Sequence, residues 1–479
     1  MQRIEKNPFG YRHPPLTGGQ FKYTDYSIIS GLSGKRGKKD WVSWADAELE
    51  LILEDTPENR VWALSQVVGN NEIESFYILT LESDLIGVLV RMETVGVAFD
   101  RKKLEDIGQR IRTDIRKLEI EIYELVGPIN ISSPKQLQTL FFETLGIRPL
   151  KKNKTGYSVD VDVLEEIAKT HDIARLILEY RGLSKLSGTY VDGLMRAAGA
   201  DGRIHTTYDS LGAATGRMSS NDPNLQNIPT GDGYAREIKE CFIPSMDNIL
   251  LVADYSQVEI RVLAFLSQDQ SLIDAFQSGE DIHMRTAKFL FGENQIITSH
   301  MRRIAKTVNF GVIYGITGFG LAKTLDCSVT EAQQYVDAFY TRYPGVRTYY
   351  DRLLADARTN GYVETYFGRR RYIPGVGDAN KTMRSIAERE AMNMPVQGTA
   401  ADMIKIAMVE LDRRITSEGL QGKMILQVHD ELVFDIPVDE KEIFEVMVGE
   451  VMEGVLHSSG VSLPIIVDIS TGDNWAEAK

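Results

Sequence analysis

Strand-forming sequence in this chain is clustered in two distant stretches, residues 201–262 and 420–470. In the first, DGRIHTTY alternates like a strand, and NILLVADYS is a short apolar run closing on Asp254. In the second, KMILQVHDELVFDIP reads as two β-rich runs that meet at His429 and Asp430. Residues 270–395 between them carry mostly helical periodicity, broken by GITGFG, RYPGV and the hairpin-like GYVETYFGRRRYIPG. Helices between two strand clusters predict a discontinuous α+β domain. A chain of 479 residues is also long enough for two or more lobes.

Upstream of the strands the pattern is helical. FDRKKLEDIGQRIRTDIRKLEIEIYELVG spaces its apolar residues by three and four, with Asp100 as N-cap and Gly127 as stop. SSPKQLQTLFFETLG supplies a Ser cap, Pro134 in the first turn and Gly146 as terminator. The polar tip KKNKTGYS leads into a third helical stretch, VDVLEEIAKTHDIARLILEYRGLSKL. Long helices with a basic tip suit an arm that lies along something, or a helical packing domain. The first 40 residues mix Pro, Gly, Tyr and Lys without a period and read as loop-rich. GLSGKRGKK there fails the phosphate-loop pattern in both its last residue and its spacing, and reads as a basic tail.

Net charge at first argues against a polyanionic partner, since the chain carries −14. That charge is unevenly spread. Residues 41–100 hold two Arg against twelve acids, whereas residues 101–200 hold seventeen Lys and Arg against fourteen. A partner responds to local fields within a Debye length of about 8 Å, so nucleic acid stays open. No apolar run approaches the ~18 residues of a membrane span, and no basic-then-apolar leader opens the chain. Two cysteines, Cys241 and Cys327, are too few for a disulfide framework and fit a reducing cytoplasm.

Asp254 and Asp430 each stand where an apolar strand ends. Either alone would pass for a turn residue. Each is flanked by further polar groups, Glu259 in DYSQVE and His429 with Glu431 in HDE. Two carboxylates brought together repel unless a cation lies between them, and hard oxygen ligands of this kind suit Mg²⁺. A pair of such ions about 4 Å apart stabilises both the attacking and the leaving oxygen in phosphoryl transfer.

RRIAKTVNFGVIYG adds a second element. Arg302, Lys306, Phe310 and Tyr314 recur at every fourth position, so they drift only modestly around one face of a helix about 20 Å long. Ser299 can cap this helix and Gly315 can end it. Cations near its N-terminus bind phosphates, and rings further along stack on a base or sugar. That is the span of a nucleoside triphosphate; the bland alternative is a buried edge with snorkelling Arg and Lys stems. In AEREAMNMPVQGTAAD, Arg389, Asn393 and Gln397 again step by four, a weaker signal for minor-groove edges.

TGRMSSNDPNLQNIP, VADYSQVEIR, RRIAKTVNFGVIYG and QVHDELVFD together closely resemble the motifs of the A-family DNA polymerases, such as bacterial DNA polymerase I. The likeness runs from about residue 78 to the C-terminal GDNWAEA. It implies an α+β right-hand polymerase fold with an antiparallel-sheet palm, helical fingers and a helical thumb. Residues 1–78 would then be a loop-rich and acidic remnant, 79–200 the thumb, 201–262 and 396–479 the palm, and 263–395 the fingers. By the same resemblance Asp254, Asp430 and Tyr255 would hold two Mg²⁺ ions that Mn²⁺ can replace, and Glu431 would lie nearby as a further catalytic residue. Arg302, Lys306 and His283 would grip the triphosphate, Lys306 also as a catalytic residue, and Phe310, Tyr314 and Gln257 would line the nucleotide. Glu259 would crowd the place of a 2′-hydroxyl and select deoxynucleotides. Arg217, Asn224, Gln226, Asn227, Arg389, Asn393, Gln397 and His429 would contact primer–template near its end, and Arg181 and Lys185 the duplex phosphates.

The activity so implied is template-directed addition of deoxynucleotides to a primer 3′ end with release of pyrophosphate. The partners are primer–template DNA and deoxynucleoside triphosphates, with no membrane, and the enzyme is a monomer of a bacterial cytoplasm or a virus-infected cell. Gly231, two positions after NLQNIP, stands where many relatives carry an Arg, and by the resemblance this weakens one expected phosphate contact and raises the requirement for nucleotide. Fewer than 80 residues precede the thumb, too few for a proofreading domain with its own core, so synthesis without proofreading is expected. The rival readings are a single-subunit RNA polymerase, disfavoured by Glu259 and by the His of HDE, and a non-catalytic DNA-binding accessory protein. A two-metal nuclease would have no use for a helix face of nucleotide length.

Overall fold

The computed structural model describes residues 76–153, 156–456 and 463–479. The loop-rich and acidic readings of residues 1–75 lie outside them. The described residues divide into two units, each built from discontinuous segments. One takes in residues 76–94, Tyr208–Ser220 and Leu251–Ser470; the other takes in Val95–Thr207, Asn221–Leu250 and Thr471–Lys479.

In the second of these units the capping signals act as the sequence predicts. Asp100 accepts from the Lys103 amide at 2.9 Å and opens the helix Arg101–Val126, and Gly127 ends it at φ 76°. Ser133 caps Pro134–Gln138, with Pro134 in the first turn, and Gly146 follows at φ 64°. Leu118 and Ile122 on the long helix meet Phe141, Leu164 and Ile177 in one apolar core. The polar tip forms a short antiparallel hairpin, Lys152–Asn153 against Gly156–Tyr157. The C-terminal GDNWAEA segment belongs to this unit: Trp475 packs edge-on to Phe242 at 5.3 Å, and Lys239 lies over its ring at 4.5 Å.

The other unit begins with helix α1 (Phe76–Val95) and contains a four-stranded sheet. Its strands in chain order are β1 (Asn248–Tyr255), β2 (Lys423–Val428), β3 (Glu431–Pro437) and β4 (Val467–Gly472), arranged β2-β3-β1-β4. The two strand clusters of the sequence are thus one sheet. Residues 431–436 of β3 are buried without interruption, the pattern of a strand covered on both faces. The helix Lys441–Gly454 supplies one cover: Phe444 packs against Phe434, and the Met452 carbonyl accepts from the Tyr255 phenol at 2.8 Å.

Helices α2 (Val258–Ser267), α3 (Ile282–Phe291), α4 (Ser299–Ile313) and α5 (Lys381–Ser417) complete the parts that matter for chemistry. α4 packs on α2, α3 and α5. α5 runs for 37 residues straight through Pro395, so the expected division at 395/396 falls inside a single helix. GYVETYFGRRRYIPG forms the expected hairpin, Tyr362–Glu364 against Arg370–Tyr372. No helix among the described residues is long and apolar enough to cross a membrane.

Candidate active site

β1, which ends on Asp254 and Tyr255, lies next to β3 in the sheet and so beside the β2–β3 turn that carries Asp430. The Tyr255 amide donates to the Asp430 carbonyl at 3.2 Å, which sets Asp254, one residue earlier, beside the turn that carries Asp430. The next amide, Ser256, donates to the Ile466 carbonyl at 2.9 Å. Val428 pairs with Glu431, leaving His429 and Asp430 as a two-residue turn. His429 adopts φ 56°, a left-handed conformation costly for a residue with a Cβ, and the Gln427 side-chain amide donates to its carbonyl at 2.5 Å. Strain at this turn therefore fixes where Asp430 points its main chain. Burial raises the Asp430 carboxyl pKa against the pull of Arg217 and His429, the signature of a carboxylate short of positive charge.

Around this pair the other expected residues are buried. Glu431 opens β3 with only 1% exposure. Tyr255 is buried and its phenol is committed to Met452, so main-chain atoms are what it offers beside the acids. Among the described residues no group of three or more His, Cys, Asp or Glu is placed to hold a metal unaided. A two-carboxylate site completed by water and by substrate phosphates is the kind Mg²⁺ accepts.

Gln257 enters α2 at φ 53°, again left-handed, and the turn it makes sets Glu259 inward. Glu259 is 6% exposed and both its oxygens are bound. Arg217 donates to Oε1 and the Tyr314 hydroxyl to Oε2, each at 2.5 Å. Burial, then the Glu259 charge beside it, pushes the Tyr314 phenol far above its usual range. Gln397 on α5 hydrogen-bonds the same tyrosine.

α4 is capped one residue earlier than the sequence suggests. Thr298, not Ser299, accepts from the Met301 amide at 3.2 Å, because its backbone is extended while Ser299 is already helical. The helix ends at Ile313, with Tyr314 as C-cap. Gly315 at φ 63° and the Ile316 amide return to Val312 and Gly311, the paired bonds of a Schellman motif. Ala305, Val308 and Val312 form its buried stripe. The Arg302, Lys306, Phe310 series stays off that stripe, partly or fully exposed, so it is available to a ligand.

Three contacts on this face leave no signal in the sequence. Arg302 forms an ion pair with Asp281, the N-cap of α3, at 2.7 Å. His283, the second residue of α3, is 4% exposed, stacks at a tilt on Phe310 with centroids 5.7 Å apart, and pairs through Nδ1 with the Asn309 amide at 2.9 Å. Burial, aided by Arg302 and Lys306, lowers its pKa to about 4, so this histidine is a neutral imidazole at neutral pH.

A fourth feature is equally silent in the sequence. Glu82 of α1, Arg369, and Asp402 and Lys405 of α5 form a four-charge cluster, each member at most 3% exposed. Arg369 bonds Asp402 at 2.7 Å and Glu82 at 2.5 Å; Lys405 bonds Glu82 at 2.6 Å. A Cβ on Gly216 would come within 2.6 Å of Arg369 Nε, and Gly398 of α5 leaves room for the Thr215 carbonyl. The cluster thus backs the TGR turn that presents Arg217. Nothing in the spacing of these four residues announces it; only buried polarity in a helix that reads apolar could have.

On α5, Arg389 is exposed, Asn393 has a buried Oδ1 without a hydrogen-bond partner, and Gln397 reaches Tyr314. In the other unit, Asn224 caps the short turn Leu225–Asn227 by accepting from the Gln226 amide at 3.0 Å, and Asn227 is exposed. Arg181 donates to the Val159 carbonyl at 2.7 Å and burial lowers its pKa, while Lys185 is exposed. Gly231 holds φ 126° in open space.

The model of the family described as DNA polymerase family A matches residues 101–477. DNA polymerase I of Lactococcus lactis (strain IL1403) is 45% identical over 412 residues, 85% of this chain and 47% of that protein. DNA polymerase I of Streptococcus pneumoniae (strain R6) is 45% identical over 471 residues, 96% of this chain and 53% of that protein. The chain therefore spans about half the length of the curated relatives it matches. Among solved structures, the polymerase domain of Pol1 from M. smegmatis, in complex with DNA primer–template and dNTP, superposes with a TM-score of 0.86 at 36% identity, covering 94% of this chain and 82% of that one. The α+β fold is accordingly of the right-hand polymerase class.

Proposed function

The chain belongs to DNA polymerase family A, and from that membership we propose that it extends a primer 3′ end along a DNA template, adding deoxynucleotides and releasing pyrophosphate. The observation that carries this reading is the 3.2 Å bond from the Tyr255 amide to the Asp430 carbonyl, which brings the main chain of Asp254 beside the turn of Asp430 at the ends of the two inner strands of the sheet. Asp254 and Asp430, with the main chain of Tyr255, would hold two Mg²⁺ ions, and Mn²⁺ would serve in their place. When bound, such ions neutralise charge on the transferring phosphoryl group and on the oxygens entering and leaving it.

The remaining residues position the substrates. Arg302 and Lys306 bind the triphosphate from the α4 face, and His283, held neutral, donates a hydrogen bond rather than a charge. Phe310, Tyr314 and Gln257 line the nucleotide, and Glu259, pinned by Arg217 and Tyr314, blocks the site of a 2′-hydroxyl. Glu431, buried beside the turn, supports the acid pair. Arg217, Arg389, Asn393, Gln397 and His429 contact primer–template near the reacting end, as do Asn224, Gln226 and Asn227; Arg181 and Lys185 meet duplex phosphates. We place residues 79–200 as thumb, 201–262 and 396–479 as palm and 263–395 as fingers, in a monomer of the cytoplasm. Such enzymes work chiefly by positioning and charge neutralisation.

The test is extension of a labelled primer–template with Mg²⁺ and each nucleotide in turn, with a matched or mismatched 3′ end. Template-directed products with dNTPs support the proposal. Binding without extension would move the chain to the accessory class, and preference for NTPs would move it to RNA synthesis. Loss of the mismatched nucleotide before extension would add a 3′-exonuclease activity to this reading.

A further inference from the structure

Asp281 does two jobs with one carboxylate. Oδ1 accepts from the His283 amide at 2.9 Å and the Met284 amide at 3.1 Å, capping α3. Oδ2 accepts from Arg302 Nε at 2.9 Å and from a terminal guanidinium nitrogen at 2.7 Å. A helix N-terminus, a bidentate guanidinium and an ammonium one turn along α4 are the parts of a phosphate site. Here an anion belonging to the protein occupies it. Lys306 is exposed and has no ion-pair partner among the described residues, so of the two cations only Arg302 is engaged.

We propose that Asp281 is an internal competitor for the phosphates that Arg302 binds, so that a nucleotide must displace this carboxylate to be held and departing pyrophosphate is replaced by it. The proposal rests on the reading of Arg302 as a triphosphate ligand. Its physical content is an exchange of one anion for another. The pair is partly exposed, with side-chain accessibility of 39% for Asp281 and 42% for Arg302, so it is weak enough to open. A triphosphate, with more charge and further contacts to Lys306, wins that exchange. A fragment with fewer phosphates has less to set against the carboxylate. Asp281 therefore sharpens selection for the full triphosphate and assists product release.

Asp281→Asn separates the two jobs, because asparagine is as good an N-cap but carries no charge. Affinity for dNTP, measured on a primer ended with a dideoxynucleotide, should rise about two- to fivefold, the ratio that loss of a partly exposed ion pair represents. KM should fall with it, and pyrophosphate should inhibit at correspondingly lower concentration. Asp281→Ser, another capping residue, should give the same gain. A variant that merely weakened the fold would raise KM, the opposite sign. In an Arg302→Ala background, Asp281→Asn should change nothing. If Arg302→Ala weakens dNTP binding but Asp281→Asn leaves it unchanged or weaker, the competitor role is overturned. If Arg302→Ala itself leaves dNTP affinity intact, the triphosphate reading and the competitor role are overturned together.

Discussion

The main chains of Tyr255 and Asp430 are hydrogen-bonded at 3.2 Å, although helical sequence fills most of the chain between them. That bond sets the main chain of Asp254 beside the turn of Asp430, and burial raises the Asp430 carboxyl pKa. Asp254→Ala or Asp430→Ala should therefore lower primer extension about 10³-fold or more, the equivalent of losing several kcal/mol of charge stabilisation. Primer–template binding, measured by fluorescence anisotropy, should stay within a few-fold. Chelation by EDTA should stop wild-type extension and Mn²⁺ should restore it. Retained extension with Mg²⁺ in either variant would remove the metal assignment.

Glu259 is held from both sides, by Arg217 and by Tyr314. A buried carboxylate so fixed cannot swing aside for a bulkier sugar. Replacing it with Ala should open that space, and the ratio of kcat/KM for dNTP over NTP should fall by about tenfold or more. Steady-state incorporation of a single matched nucleotide checks this. Unchanged sugar preference would strip Glu259 of its gating role.

How much of this is legible in the sequence depends on the kind of signal. Caps are local, so Asp100, Gly127 and Ser133 can be placed from three or four neighbouring residues; only at α4 does the cap fall one position away, on Thr298 rather than Ser299. The acid pair is legible because each strand ends in a polar group that a plain turn does not need. The Asp281–Arg302 pair and the Glu82–Arg369–Asp402–Lys405 cluster are not legible. Their members lie on different elements, and periodicity along one helix carries no record of what faces it. Neutrality of His283 is hidden for the same reason: burial under Phe310 and Asn309 decides it, not the DIH motif.

The buried cluster gives a stability prediction. Lys405→Met removes one of two cations that serve Glu82, whose Oε2 already has no hydrogen-bond partner. Breaking one side of a buried charge network costs about 3–5 kcal/mol, because the remaining charge is left uncompensated. Urea denaturation should show a loss of that order. Glu82→Gln combined with Lys405→Met should recover part of it, since no lone carboxylate then remains. Because Arg369 backs Gly216, the single variant should also disturb Arg217 and lower extension more than global stability alone explains. A double variant no better than the single one would mean that packing, not charge, holds this region.

His283 contributes to the acid side of the stability profile. Its pKa is about 4 in the folded protein against 6.5 for an unperturbed imidazole, so between those values the unfolded chain binds the extra proton. Stability contributed by this group is therefore complete above about pH 6.5, falls as pH drops, and stops changing below about 4. His283→Gln keeps an amide able to bond Asn309 but cannot take up a proton. The difference in urea midpoint between pH 7 and pH 5 should be smaller in the variant than in the wild type, with the curves closest at acidic pH. Parallel profiles would show that the imidazole charges without penalty, and that the packing of Phe310 and Asn309 around it does not hold it neutral.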